Sequence, residues 1–348
     1  MSHEVLRAGP VLPSPARTRA PERTPLRVGL VQERWHQDPA EHRGALAAGI
    51  AAAAGEGAQL VCLQELTLSR YFAATPDGAA AQGIEPEDLG DGPTARFARE
   101  CAVANGVYVH ASLFERAEDP DAGGGGDAGG GRDAGAGGGR DAGAGGGGDG
   151  RGYNTAILIA PDGRLIGRTR KLHIPITAGY YEDRYFRPGP VGDGDDPFPA
   201  VRLPLEGGEA RLGLPTCWDQ WFPELARAYS LAGAEVLIYP TAIGSEPDHP
   251  DFDTEPLWER VIVANGIANG VFMVAINRIG SEPPLTFYGS SFISDPYGRI
   301  LVQAPRDEPA VLVADLDLDQ RRDWLELFPF LSTRRPDAYG ALTRARSS

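Results

Sequence analysis

The sequence predicts an α/β protein folded as a four-layer α-β-β-α sandwich, two sheets face to face with helices outside both. Three observations point there. Strand and helix patterns alternate in each half of the chain, so that two βαβαβ units follow one another. Each unit ends in a hairpin signal, Pro161-Asp162-Gly163 in the first and Asp295-Pro296-Tyr297-Gly298 in the second. The chain has 348 residues, 42% of them hydrophobic, which is ample for a sizeable core.

Taken in order, 26–31 reads as a strand, 41–54 as an Ala-rich helix and 59–63 as a second strand. A helix at 94–104 and a third strand at 107–114 follow, and 154–160 with 165–170 flank the first hairpin turn. The second half opens with a strand at 211–214, a helix near 223–232 and a strand at 235–239. A helix around 257–269 and a strand at 271–277 come next, then the hairpin 291–293 with 300–303. The last strand, 310–316, is expected to end the second sheet, and the aromatic segment 324–339 to pack on a neighbour or extend to another subunit. Residues 1–25, rich in Pro, Arg and Ala, carry no apolar signal segment and read as a disordered N-terminal arm. From about 119 to 152 the chain is almost pure Gly, Ala, Asp and Arg and repeats on itself. That composition cannot bury apolar area and reads as a disordered surface insertion. It lacks the Gly-Lys-Ser/Thr of a phosphate loop. The folded domain therefore spans 26–340, with 341–348 as a tail.

Charge narrows the function. A net charge of -15 and a pI near 4.9 argue against nucleic acid as a partner, which needs a basic footprint. Mean hydropathy is -0.27 and no apolar run approaches the ~20 residues of a membrane span. Three cysteines in so long a chain make no disulfide framework, which suits a reducing, cytoplasmic setting. Of the 33 basic residues 32 are Arg, and Lys171 is the single lysine. A coding bias explains the missing lysines but not the one retained, and an ammonium differs chemically from a guanidinium fork.

Three residues of reactive type fall at strand ends. Cys217, in Gly213-Leu214-Pro215-Thr216-Cys217-Trp218-Asp219-Gln220, lies between a strand and a helix start, where backbone N–H groups favour a thiolate. A buried structural cysteine is the alternative, and Cys62 and Cys101 fit that description. Glu65 follows an apolar strand, at the edge where open α/β sheets hold their ligands; a solvated strand-end carboxylate is the alternative. Lys171 ends the strand Leu165-Ile166-Gly167-Arg168-Thr169-Arg170. A thiol nucleophile needs a base and its oxyanion needs a fixed cation or N–H donors. His173 is the only histidine near these residues, so a Cys–His pair stays open. No metal-ligand spacing is evident. The acidic run Glu246-Pro247-Asp248-His249-Pro250-Asp251-Phe252-Asp253 reads as a solvated face, or as a rim for a cationic substrate.

The stretches Leu63-Gln64-Glu65-Leu66, Arg170-Lys171-Leu172-His173-Ile174-Pro175 and Cys217-Trp218-Asp219-Gln220-Trp221-Phe222-Pro223-Glu224 resemble the nitrilase, or carbon–nitrogen hydrolase, superfamily. The last of them, with Tyr239-Pro240-Thr241-Ala242-Ile243-Gly244-Ser245-Glu246-Pro247 and Phe287-Tyr288-Gly289-Ser290-Ser291-Phe292, is most similar to its N-carbamoylputrescine-hydrolysing branch. The resemblance covers roughly 26–340. It implies a sandwich of the nitrilase type, Cys217 as nucleophile, Glu65 as general base and Lys171 as the cation facing the oxyanion. It further implies Glu182 as a second glutamate and the Trp218 N–H as the other oxyanion donor. The implied reaction is hydrolysis of a ureido C–N bond, with N-carbamoylputrescine giving putrescine, CO2 and ammonia in polyamine biosynthesis. An N-carbamoyl amino acid, an amide or a nitrile is the alternative substrate, and a non-enzymatic interaction protein the remote one. The resemblance also implies a small-molecule substrate, no cofactor or metal, and a homo-oligomer. Two departures stand out: the Gly-rich insertion, and Pro215-Thr216 in place of the usual aliphatic pair.

Overall fold

The computed structural model describes residues 3–117, 150–192, 196–205 and 207–344. Its strands, in chain order, are β1 (Glu4–Arg7), β2 (Leu26–Gln32), β3 (Leu60–Cys62), β4 (Tyr108–Glu115), β5 (Tyr153–Ile159), β6 (Leu165–Arg170), β7 (Val201–Leu205) and β8 (Gly208–Gly213). They continue with β9 (Val236–Pro240), β10 (Phe272–Ile276), β11 (Ile279–Glu282), β12 (Leu285–Tyr288), β13 (Phe292–Ser294), β14 (Ile300–Gln303) and β15 (Ala310–Leu316). The α-helices are α1 (Pro39–Gly55), α2 (Gly78–Gln82), α3 (Pro93–Asn105), α4 (Pro223–Leu231), α5 (Glu255–Asn269) and α6 (Asp319–Leu327).

One sheet runs β1-β15-β2-β3-β4-β5-β6, the other β14-β13-β10-β9-β8-β7, and β11-β12 form a separate hairpin. The alternation of side chains along β2 shows how the layers form. Leu26, Val28 and Leu30 point into the apolar layer between the sheets, where they join Leu212, Ile238 and Val274 of the second sheet. Val31 belongs to the outer layer, with Leu46 and Ile50 of α1 and Phe97 of α3. On the far side, Leu237, Tyr239 and Met273 pack under Leu225 of α4 and Trp258 and Ile262 of α5. The four layers predicted from the strand pattern are therefore present.

Two expectations are corrected. Strand β15 does not end the second sheet: it lies antiparallel to β2, with Leu316 opposite Leu26 and Ala310 opposite Gln32, inside the first. Its inward side chains Ala310, Leu312, Ala314 and Leu316 complete the layer between the sheets, a demand that chain order does not reveal. Nor are residues 3–23 a disordered arm. Strand β1 pairs in parallel with β15, and His3 Nε2 lies 2.8 Å from Glu33. Beyond β1 the chain crosses to α6, where Arg17 donates to Asp317 and Asp323 and Arg23 to Asp319, and Arg23 also reaches Glu235 just before β9. Ion pairs with distant acids hold this strap in place of an apolar core. The Gly-rich insertion lies outside the described residues except for Gly150–Gly152 at its end, as do 345–348 of the tail. The aromatic segment begins by docking on its own chain, Trp324 donating to the Ile267 carbonyl at 3.0 Å, whereas Leu327, Phe328, Tyr339 and Leu342 are exposed.

Candidate active site

Glu65 lies just past β3, Lys171 directly after β6, and Cys217 four residues past β8, so both sheets contribute. Cys217 opens a 3-10 turn, Cys217–Trp221, that leads into α4. Its φ of +42 is left-handed, a strained conformation for a residue with a Cβ, and it turns the thiol out of the strand line. The strain is held from several sides. Asp219 accepts from the Thr216 N–H at 3.1 Å, from the His173 N–H at 3.0 Å and meets His173 Nδ1 at 2.7 Å. Gln220 is fixed to α5, its side chain accepting from Trp258 Nε1 and its carbonyl from Asn265. His173 therefore ties the Lys171 loop to the cysteine turn, stacked on Phe222 at 3.6 Å, and is not the partner of the thiol.

The expected acid–lysine cluster forms. Lys171 Nζ donates to Glu65 Oε1 at 3.0 Å and to Glu182 at 2.9 and 2.7 Å, with its side chain fully enclosed. Asn154 Nδ2 donates to Glu65 Oε1 at 2.7 Å, and the Tyr71 hydroxyl to Glu182 Oε1 at 2.8 Å. Glu65 Oε2 is buried and has no hydrogen-bond partner among the described residues. Sequence reasoning gave Tyr71 and Asn154 no role, because their partners are set by the fold.

The electrostatics divide the cluster. Burial alone pulls the Lys171 ammonium toward neutrality, but the charges of Glu182 and Glu65 outweigh it and raise its pKa. Burial raises Glu182 despite the lysine beside it. Burial, then Glu65, push the Cys217 thiol well up, with Lys171 opposing. A thiol shifted in that direction needs a proton acceptor before its sulfur can act as a nucleophile. The charge of Lys171 acts on that sulfur, and an enclosed ammonium can face an oxyanion. Cys62, between the sheets, and Cys101, in α3, are buried, as structural cysteines are.

Cys217, Trp218 and Glu182 open into a cavity of about 200 Å³ walled by Tyr180, Trp221, Ile243 and Leu257. Glu246 also lines it, so the acidic run reaches the cavity at its first residue. Thr254 donates to Glu246 over a long 3.5 Å, and no lysine or arginine pairs with Glu246 among the described residues. Burial, foremost, raises its pKa.

A four-layer sandwich holding an enclosed acid–lysine cluster and a thiol at facing strand ends is the architecture of enzymes that hydrolyse non-peptide carbon–nitrogen bonds. The family model "Carbon-nitrogen hydrolase" matches residues 27–326, and the chain belongs to that family. It is 35% identical to N-carbamoylputrescine amidase of Arabidopsis thaliana over 295 residues, 82% of this chain and 85% of that one. It is also 33% identical to citrullinase of Francisella tularensis over 327 residues, 92% of this chain and 98% of the other. The crystal structure of a carbon–nitrogen hydrolase from Helicobacter pylori G27 superposes with a TM-score of 0.70 at 28% identity, covering 93% of this chain and 100% of that one. The protein is thus an enzyme acting on non-peptide C–N bonds, and its relatives support ureido hydrolysis as the family-level reaction. No helix among the described residues is long and apolar enough to cross a membrane.

Proposed function

We propose that the enzyme hydrolyses the terminal ureido group of N-carbamoylputrescine to putrescine, CO2 and ammonia, with Cys217 as nucleophile. The observation that carries the substrate is the composition of the cavity. Glu246 is its unpaired acid, and none of its lining residues is an arginine or lysine that would meet a substrate carboxylate. An ammonium on a short methylene chain suits those walls, whereas an N-carbamoyl amino acid would bring a carboxylate toward Glu246.

In this reading Glu65 Oε2 takes the thiol proton as sulfur attacks the ureido carbon. The oxyanion forms against Lys171 and the Trp218 N–H. Collapse expels ammonia, which leaves with the proton returned by Glu65, and the carbamoyl group stays on sulfur as a thioester. Water, deprotonated by Glu65 and oriented by Glu182, releases the carbamate and regenerates the thiol. The carbamate then loses CO2 to give the amine. While Glu65 carries the transferred proton, Glu182 remains beside Lys171 to favour its charged form. A cytoplasmic site of action and a homo-oligomer belong to the same reading. The three free cysteines support the first and exposed Leu231, Leu327 and Phe328 the second.

The test is ammonia release from N-carbamoylputrescine, N-carbamoyl-β-alanine and citrulline by the purified enzyme, with Cys217→Ser alongside. Cys217-dependent release that prefers the carbamoyl diamine supports the proposal. Preference for either carboxylate-bearing compound keeps the thiol chemistry and overturns the substrate. Turnover by Cys217→Ser overturns the nucleophile.

A further inference from the structure

Arg278 follows β10 and is fully buried, yet its guanidinium touches no solvent and no substrate wall directly. One arm, Nη2, donates to the carbonyls of Glu65 at 2.7 Å and of Leu66 and Ser69 at 3.2 Å each. The other, Nη1, donates to Glu282 Oε1 at 2.8 Å. Glu282 Oε2 in turn accepts from the Tyr71 N–H at 2.8 Å, and the Tyr71 hydroxyl bonds Glu182. A single fork from the second half of the chain therefore holds the turn that carries Glu65 and, through Glu282 and Tyr71, the glutamate on the other side of Lys171.

That turn needs holding. Leu66, next to Glu65, has φ +49, and gathering its carbonyl with those of Glu65 and Ser69 on the one Nη2 amino group fixes the bend. The preceding residue, Asn277, does the corresponding work on the cavity wall. Its Oδ1 accepts from the Ile243 N–H at 3.1 Å, and its Nδ2 donates to the Ile243 carbonyl at 2.9 Å.

We propose that Arg278 is a positioning residue for the hydrolysis, fixing the Glu65 turn and the Glu182–Tyr71 contact; this rests on the reading of Glu65 as the proton acceptor for Cys217. Lysine at 278 keeps the charge opposite Glu282 but cannot fork to the three carbonyls. Displacing a reacting group by about 1 Å costs on the order of 10²-fold in rate. Arg278→Lys is therefore expected to fold, to lose about 10²-fold in kcat and to keep its KM for N-carbamoylputrescine, since Glu246 lies on another element. Arg278→Ala is expected to regain part of its kcat in millimolar guanidinium and not in sodium chloride or methylammonium at the same ionic strength. A merely structural role predicts instead a loss that follows the folded fraction in thermal melts, with no selectivity among the added ions. Should Arg278→Ala fail to fold, Arg278→Lys alone decides by its kcat-to-KM split. Full kcat in Arg278→Lys, or a loss explained by the folded fraction, overturns the proposal. Glu65→Gln and Cys217→Ser are measured in parallel: wild-type turnover by either would bring down the underlying reading, whatever Arg278 does.

Discussion

Replacing Glu246 by glutamine removes one negative charge from the cavity while keeping its volume and its contact with Thr254. At an effective dielectric of ~20, two unit charges ~4 Å apart attract by about 4 kcal/mol. Glu246 is only half buried, so solvent screens part of that, and the ~1.5–3 kcal/mol of a hydrogen bond to a charged group is the better guide. At 1.4 kcal/mol per factor of ten, the affinity for a substrate ammonium falls about 10- to 150-fold. The cost should appear in KM for N-carbamoylputrescine and leave kcat little changed, because Glu246 is not among the groups around the sulfur. The assay is ammonia release across a substrate series, with N-butylurea as the neutral analogue. Its kcat/KM should be the same in Glu246→Gln and the wild type. The pH dependence gives a second check. Burial raises the Glu246 carboxyl, so on acidification it loses its charge earlier than an ordinary carboxylate would. KM for the diamine substrate should accordingly rise as pH falls through that raised value, and the rise should vanish in Glu246→Gln. An unchanged KM for N-carbamoylputrescine, or an equal loss on N-butylurea, would refute the assignment of Glu246 to the ammonium.

Lys171→Arg should fold and yet be nearly inactive, since removing one oxyanion donor typically costs ~2.7–4 kcal/mol and a guanidinium does not fit three contacts made to an enclosed ammonium. Wild-type kcat in that variant would sink the oxyanion role. Glu182→Gln removes the carboxylate with the stronger pull on Lys171, so burial should then draw the lysine's pKa down. The basic limb of kcat/KM should move to lower pH, and a limb that stays in place would contradict the cluster's electrostatics. Arg17→Ala combined with Arg23→Ala strips the strap's cations from Asp317, Asp319 and Asp323, with an expected loss of about 1–3 kcal/mol at neutral pH by denaturant melting. Asp319 and Asp323 have lowered pKa values despite their burial, because Glu22 and Arg23 bond the first and Arg17 and Arg322 the second. Their contribution is present above the unfolded carboxyl pKa and disappears as pH falls through the folded one. The gap between variant and wild type should therefore close on acidification.

The site was legible in the sequence where chemistry and position coincided. Lys171 was conspicuous as the one lysine among 33 basic residues, and Glu65 and Cys217 each stood where an apolar strand gives out. What escaped notice depends on contacts across the chain. Arg278 looks like one more arginine until the fold sets it against the carbonyl of Glu65, over two hundred positions earlier. Arg17 and Arg23 sit in a proline-rich segment whose composition suggests no structure, and their acids lie on α6, beside it and, in Glu235, before β9. Asp219 was visible as part of a motif, but its clasp on His173 was not, since local pattern says nothing about which loop will approach. Helices α1, α3, α4 and α5 and most strands followed from periodicity; α2, α6, strands β1 and β7 and the hairpin β11–β12 did not, most of them being short.

Strand β15 gives the molecule an unusual order of construction. On a ribosome, β2 emerges early and must wait for a neighbour at Ala310–Leu316, made only after the whole second sheet. The first sheet therefore cannot be completed as a unit, and the opening half of the chain released alone would leave the edge of β2 open to any passing β-structure. Completion of the first sheet is coupled to a single late event, a topology of long sequence separations that folds slowly. The residues of the candidate site come from both sheets, so the site is assembled only when the two sheets pack together.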